Sequence, residues 1–457
     1  AALYLLVIFL VLAQFPLRLL ARRFAFTAGE IVTVYVMMLV AAGIPTRGLV
    51  EFIGPVVTSA SYYATDANRW NDILLPWLRR APWIGPQDAQ VIRDYYTGLP
   101  PGAPIPWAAW LLPGFMWLLF CLAMSMAMIS AAVILRRQWM DTERLVYPMM
   151  QPPIEIIRSS TPGARRPLWR SQLLWIGAAI PFVLFSLKAL SHPDYLGSII
   201  PPFQTNVYTR LLERMIILEF RFSPITLGFL YFVRMDVLLG LWAGSLSLTC
   251  FYGFLRFLGA LPNLPKIGVW SYDTTRAFTG AGALIVFMAV VIWRSRRHIR
   301  AVISAVWRKG ESSDSREEIL SYRAAVLLLA VCVLFMAGWL VATGLAWWQA
   351  AAFIALAGLI FAALTRVVAE AGVPTAMTPV CAGDFMVGLF GSTAFTPQQL
   401  AGLGLTYPFH SEMRTSVMAL AANGLKVFHE TVRHKRRRLM WGLLAAVTLS
   451  YLAAMIL

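Results

Sequence analysis

Hydrophobic positions run along this chain in long blocks, and polar positions gather between them. Residues 3–20, 105–135, 171–190, 324–343, 347–369 and 439–457 are apolar nearly throughout. Each is close to the roughly 20 residues that a helix needs to cross a hydrocarbon layer about 30 Å thick. Residues 277–293 are fewer but end in the basic cluster Arg294-Ser295-Arg296-Arg297, and read as a further span. An unpaired backbone group in lipid costs several kcal/mol, so segments at this depth must be helical. The expected fold class is an all-α polytopic membrane protein.

Two stretches interrupt the pattern. Between Glu30 and Tyr62 the apolar run is cut by Gly43-Ile44-Pro45-Thr46-Arg47-Gly48 and by Gly54-Pro55. Proline removes a backbone donor and glycine weakens a helix, so the pattern predicts two half-helices joined by an unwound stretch. Residues 372–430 carry Gly372-Val373-Pro374, Thr378-Pro379, Gly388, Gly391, Pro397 and Pro408. A re-entrant hairpin or a pair of broken helices is expected there. The 35 residues 223–257 leave the crossing count open. One helix of that length would span about 52 Å, too much for one crossing, so they cross twice, not at all, or pair with a re-entrant segment. Leu145-Val146-Tyr147-Pro148 is echoed by Leu405-Thr406-Tyr407-Pro408, and Phe26-Thr27 by Phe278-Thr279 and Phe395-Thr396. Degenerate repeats in transporters look like this.

Composition sharpens the picture. Of 457 residues 59% are hydrophobic and only 13% charged, against about 25% charged in soluble domains. The 17 tryptophans suit the aromatic belts of a membrane interface. A net charge of +17 would suggest nucleic acid in a soluble protein. Here the charge clusters between spans, which fits the positive-inside rule and attraction to lipid headgroups, with no nucleic-acid partner. Loops 136–170, 294–323 and 433–438, with the end of the first span at Arg18, Arg22 and Arg23, are therefore placed in the cytoplasm, and residues 62–104 outside as a small ordered cap. The chain reads as one transmembrane domain over 1–457, a piece of a longer protein cut at both ends, in the inner membrane of a bacterium. Cys121, Cys250, Cys332 and Cys381 are scattered and predict packed thiols.

Candidate chemistry rests on charge placed where hydrocarbon penalises it. Arg234 and Asp236, two apart in an apolar run, would point to different sides of a helix and meet partners elsewhere. Arg366 and Glu370 share a face just before a Gly/Pro break, as an interfacial ion pair or a gate charge. Glu30 opens a half-helix, where capping alone would explain it. Tyr35, Thr46 and Arg47 follow on the same element, and Asp384 is a lone acid of the second broken region, read as a solvated loop carboxylate. Glu30, Asp236 and Glu370 are the candidate proton-coupling carboxylates, because a carboxyl withdrawn from water holds its proton more tightly. No HExxH, Walker A, GxSxG or GxGxxG pattern is present, and the histidines have no ligand spacing. No enzyme, cofactor or metal is expected.

Short blocks carry a family likeness. Phe26-Thr27-Ala28-Gly29-Glu30 with Ala41-Ala42-Gly43, Glu143-Arg144-Leu145-Val146-Tyr147-Pro148 and Ser223-Pro224-Ile225-Thr226-Leu227-Gly228 resemble blocks of the oligopeptide transporter superfamily, especially its metal-chelate branch. Residues 42–49, 62–70 and 366–374 are similar to a related bacterial group of uncharacterised multi-pass membrane proteins. The resemblance implies a transporter-like helical bundle and proton-driven uptake of small peptides or metal chelates. The expected function is therefore a secondary carrier with lipids and such a substrate as partners, a homodimer being left open. The alternatives are a non-transporting scaffold or subunit and, less favoured, a membrane-embedded enzyme.

Overall fold

The computed structural model describes residues 2–20, 24–45, 50–160, 170–190, 205–211, 216–222, 224–261, 264, 273–307, 319–373, 376, 378, 380–409, 416–432 and 437–456. It opens with α1 (Ala2–Phe9), a π-helical turn at Leu10–Gln14 and α2 (Phe15–Leu20). The Gln14 amide is buried and fastens this rod to the next strand of chain, donating to Phe26 O and accepting from Phe26 N, both at 2.9 Å. The predicted half-helices follow as α3 (Ala28–Ala41) and α4 (Val50–Tyr62), with Ala42–Pro45 non-helical between them. Pro55 lies inside α4, and the hydroxyl of Tyr96 donates to its carbonyl.

The segment 62–104, expected as a cap, holds three short helices, α5 (Trp70–Ile73), α6 (Leu75–Arg79) and α7 (Ala89–Thr97). Asp88 starts α7 by accepting from Gln90 N. The indole of Trp117 donates to Ile84 O at 2.8 Å and so ties the cap to α8 (Trp107–Arg137), the 31-residue helix predicted from the second apolar block. After α9 (Gln151–Ser159) and α10 (Gln172–Leu190), a feature unforeseen in an all-α reading appears. Strands β1 (Thr205–Leu211) and β2 (Ile216–Phe222) pair antiparallel, with Val207 opposite Phe220. Both are rich in β-branched and aromatic residues, which favour a pleated surface.

The described part of the segment 223–257 is not one helix but two, divided by a break. α11 (Pro224–Leu230) stops short, and α12 (Met235–Phe257) has 23 residues, the length of one crossing. Next, α13 (Thr274–Trp307) continues as a single helix straight through the basic cluster assigned to a loop. The Tyr252 hydroxyl donates to Thr279 Oγ1 at 2.6 Å and Arg256 pairs with Asp273, so α12 and α13 run antiparallel. The core then gains α14 (Tyr322–Ala342), α15 (Trp347–Ala371), the short pair α16 (Ala382–Phe390) and α17 (Pro397–Leu405), α18 (Val417–Thr431) and α19 (Arg437–Ile456). The two echoed Tyr-Pro tetrads each run into a single 3₁₀ turn, Pro148–Met150 and Tyr407–Phe409.

Among the described residues, six helices are long and apolar enough to cross a membrane, and the chain is a helical multi-pass membrane protein. Its core is not the sum of those six. The centre is α18, packed against α3, α8 and α15 and buried over most of its length. A Cβ on Gly424 would lie 2.6 Å from Val36 Cγ1, so α18 approaches α3 only because that position has no side chain. Around it, Ser125 on α8 bonds Tyr451 on α19 at 2.9 Å, and Ser450 donates to Ala41 O. Toward the cap, Trp117, Phe120, Trp339 and Phe409 stack with centroids 4.6–6.2 Å apart.

Candidate functional site

The polar site lies at the other end of α8, where the basic segments gather. His298 on α13 donates to Ile134 O at 2.8 Å, which fixes the far end of α13 beside the far end of α8. There α8 loosens into a π-helical turn, Gln138–Thr142, and the chain reverses through two residues in the left-handed region, Arg144 at φ 52° and Tyr147 at φ 50°. Such conformations cost of order 1–3 kcal/mol each for residues with side chains and persist only where their surroundings enforce them. The surroundings here come from α15. Tyr147 N donates to Ala369 O at 3.0 Å, and Pro148 presses on Gly372, which ends α15 at φ 61°. A Cβ at Gly372 would sit 2.6 Å from Pro148 Cβ. Two blocks singled out separately in the sequence, 143–148 and 366–374, are thus one structural unit.

Arg366 is the hub of that unit. Only 7% exposed, it reaches Glu143 Oε2 at 2.5 Å through Nη2 and Glu370 Oε2 at 3.2 Å through Nε, while the Trp139 ring lies 5.7 Å from its guanidinium carbon. Gln138 Nε2 holds the other Glu143 oxygen at 2.9 Å. Among the described residues, three buried polar atoms here have no hydrogen-bond partner: Arg366 Nη1, Trp139 Nε1 and the Tyr147 hydroxyl. Buried polar groups are normally paired, so this cluster holds unspent hydrogen-bonding capacity. Beside it, Arg136 Nη1 lies 3.2 Å from His429 Nδ1, and Asp141 is within 3.8 Å of both side chains. Lys426 and Arg158 converge on Glu430 at 2.9 and 3.2 Å. The Lys426 hydrogen bond, with the Arg158 and His429 charges, holds the Glu430 carboxyl below the usual carboxylate range.

The residues expected from sequence are dispersed. Arg366 and Glu370 do pair, and Glu143 is the third member that helical spacing alone did not supply. Arg234 and Asp236 were expected to diverge toward other helices, and they instead bond each other twice, at 2.7 and 3.1 Å, with both side chains 62% exposed. The reason is local: Arg234 precedes the first helical residue of α12 in an extended conformation, so the helical rule of opposite faces does not reach it. Glu30 closes a capping box, accepting from Thr27 N at 2.8 Å and from its hydroxyl at 2.9 Å, as its position suggested. Tyr35 is buried in the core on α3. Thr46 and Arg47 lie outside the described residues. Asp384 is not a solvated loop acid but part of the first turn of α16, half-buried, with Oδ2 enclosed and unpaired.

No cluster of metal-ligating side chains occurs among the described residues. A crevice of about 520 Å³ opens near Pro45, between α1, α3 and α19, and is lined by Leu5, Val34, Met37, Met38, Ala446 and Leu449 among others. Its wall is almost wholly apolar, so it offers room to hydrocarbon rather than to a polar solute.

No curated protein and no solved structure matches the chain. One family model, described as a family of unknown function (DUF6785), covers residues 1–457. The helical membrane protein whose buried Arg366 joins two motif blocks therefore belongs to the family of unknown function DUF6785.

Proposed function

We propose that this chain is a proton-coupled secondary carrier and that the Arg366 cluster is its gate at the basic end. The observation that carries the reading is one buried guanidinium held between two carboxylates, Glu143 and Glu370, at the point where α15 gives way to non-helical chain. One positive charge faces two carboxylates there, Glu143 largely enclosed beside Trp139 and Glu370 nearly half exposed, so the guanidinium is the shared tie of both. Protonating either carboxylate releases one arm of the guanidinium, and the strained turn at Arg144–Tyr147 is then free to part from Ala369. Interrupted helices on both sides of the core, α3/α4 and α16/α17, supply the irregular backbone that carriers use around a pathway. The substrate class comes from the resemblance: small peptides or metal chelates.

The test is flux by the full chain in proteoliposomes under an imposed pH gradient, with trialanine and ferric citrate as probes and an internal pH dye as readout. Probe-dependent acidification that is lost in Glu370→Gln supports the gate. Absence of any probe-driven proton movement by folded protein overturns it. A second reading, a non-transporting scaffold, is favoured by the apolar wall of the 520 Å³ crevice. It predicts silence in that assay for every variant.

A further inference from the structure

One helix is far too long for the layer it crosses. α13 has 34 residues, about 51 Å at 1.5 Å each, against a hydrocarbon core of about 30 Å. Its apolar part ends at Trp293, and the remaining stretch, ~20 Å of helix, begins with four arginines in seven residues: Arg294, Arg296, Arg297 and Arg300. This extension has two sides. Val291, Ser295 and Val302 are buried against the protein, and His298 is tied to α8. On the opposite side Arg294, Arg297 and Arg300 are exposed, spaced three apart, with Trp293 on the same arc and 67% exposed. Arg296 folds back over the Trp293 ring at 4.5 Å and donates to its carbonyl at 3.0 Å, which seats the indole where the helix leaves the apolar layer. None of the three exposed arginines meets an acidic side chain among the described residues, although acids partner arginines elsewhere on this end.

The geometry points to a docking face for anionic phospholipid on the extension of α13, with Arg294, Arg297 and Arg300 holding headgroup phosphates and Trp293 set at the interface. Three features favour lipid over a soluble partner. The arginines start directly at the end of the apolar segment, where headgroups lie. Tryptophan at that level is an interfacial anchor. And a row of guanidiniums that meets no carboxylate among the described residues offers forked donors that match phosphate oxygens. Docked headgroups would brace α13, and through His298 the end of α8 that carries Glu143. The inference does not depend on the carrier reading, since lipid retention is measured without any substrate.

The experiment uses the full chain in neutral detergent, titrated with phosphatidylglycerol, with phosphatidylcholine and with inorganic phosphate. Native mass spectrometry counts bound lipid, and unfolding temperature is followed in parallel. Phosphatidylglycerol is expected to be retained and to raise the midpoint, with affinity falling ~5-fold for each arginine replaced in Arg294→Gln, Arg297→Gln and Arg300→Gln. Arg79→Gln with Arg80→Gln, on the cap at the opposite end, should leave retention unchanged. Equal retention of phosphatidylcholine, equal loss in the cap variant, or full competition by millimolar phosphate would each overturn the proposal. If the triple variant does not fold, the three single variants carry the same test, because each removes only an exposed side chain.

Discussion

α8 and α12 are both apolar crossing helices, yet they live in different surroundings. In its most apolar stretch α8 is 61% buried inside the protein, and α12 only 11%. Leu239, Leu241, Trp242, Leu248, Phe251 and Phe254 of α12 face outward, as they would in no water-soluble fold. In lipid that exposure carries no penalty, because hydrocarbon solvates leucine as well as another leucine does. Apolar content therefore does not tell the two helices apart. What separates them is their charges. The Arg234–Asp236 pair at the head of α12 is 62% exposed on both side chains, whereas the Arg366–Glu143 pair below α8 is largely enclosed. Burial decides which ion pair matters, since exposed pairs are worth little and enclosed ones are costly to break.

That contrast can be broken by substitution. The largest effect is expected from Arg366→Met, which strands Glu143 and Glu370. A fully buried pair costs ~3–5 kcal/mol to break; with Glu370 nearly half exposed, a loss of ~2–3 kcal/mol is expected, read as a lowered unfolding midpoint in detergent. Gly372→Ala comes next. It combines a left-handed backbone with a 2.6 Å approach to Pro148 and should cost ~1–3 kcal/mol. A variant as stable as the parent would mean that Pro148 is not held against α15. Smallest is the double change Arg234→Gln with Asp236→Asn, for which no shift in the unfolding midpoint should be measurable. A shift as large as that of Arg366→Met would show that exposure does not separate the two pairs.

Much of the architecture was legible because blocks of apolar residues have one meaning in a bilayer. The sequence blocks at 105–135, 324–343 and 347–369 match α8, α14 and α15 to within a few residues, and the Gly/Pro clusters near 43–48 and 372 fall where helices stop. α18 was not legible as the centre. It has 15 residues, too few for a crossing, and nearly all of it lies inside the stretch 372–430 read as a re-entrant hairpin or a pair of broken helices, although it is solvated by other helices instead of lipid. The Arg366–Glu143 pair was hidden for a different reason: local spacing finds partners three or four residues away, and these are 223 apart in the chain. Arg144 and Tyr147 gave no sign of their left-handed backbone, since neither is a glycine. The signal that could have found the site was the pair of motif blocks themselves, each ending in proline.

The position of α18 has a consequence for biogenesis. Helices emerge from the ribosome in order, and the berth of α18 is formed by α3, α8 and α15, all made before it. A segment carrying Asn423, Lys426 and His429 gains little by entering bare lipid. Its partners are all synthesised before it, so the middle of this protein is the part that arrives late.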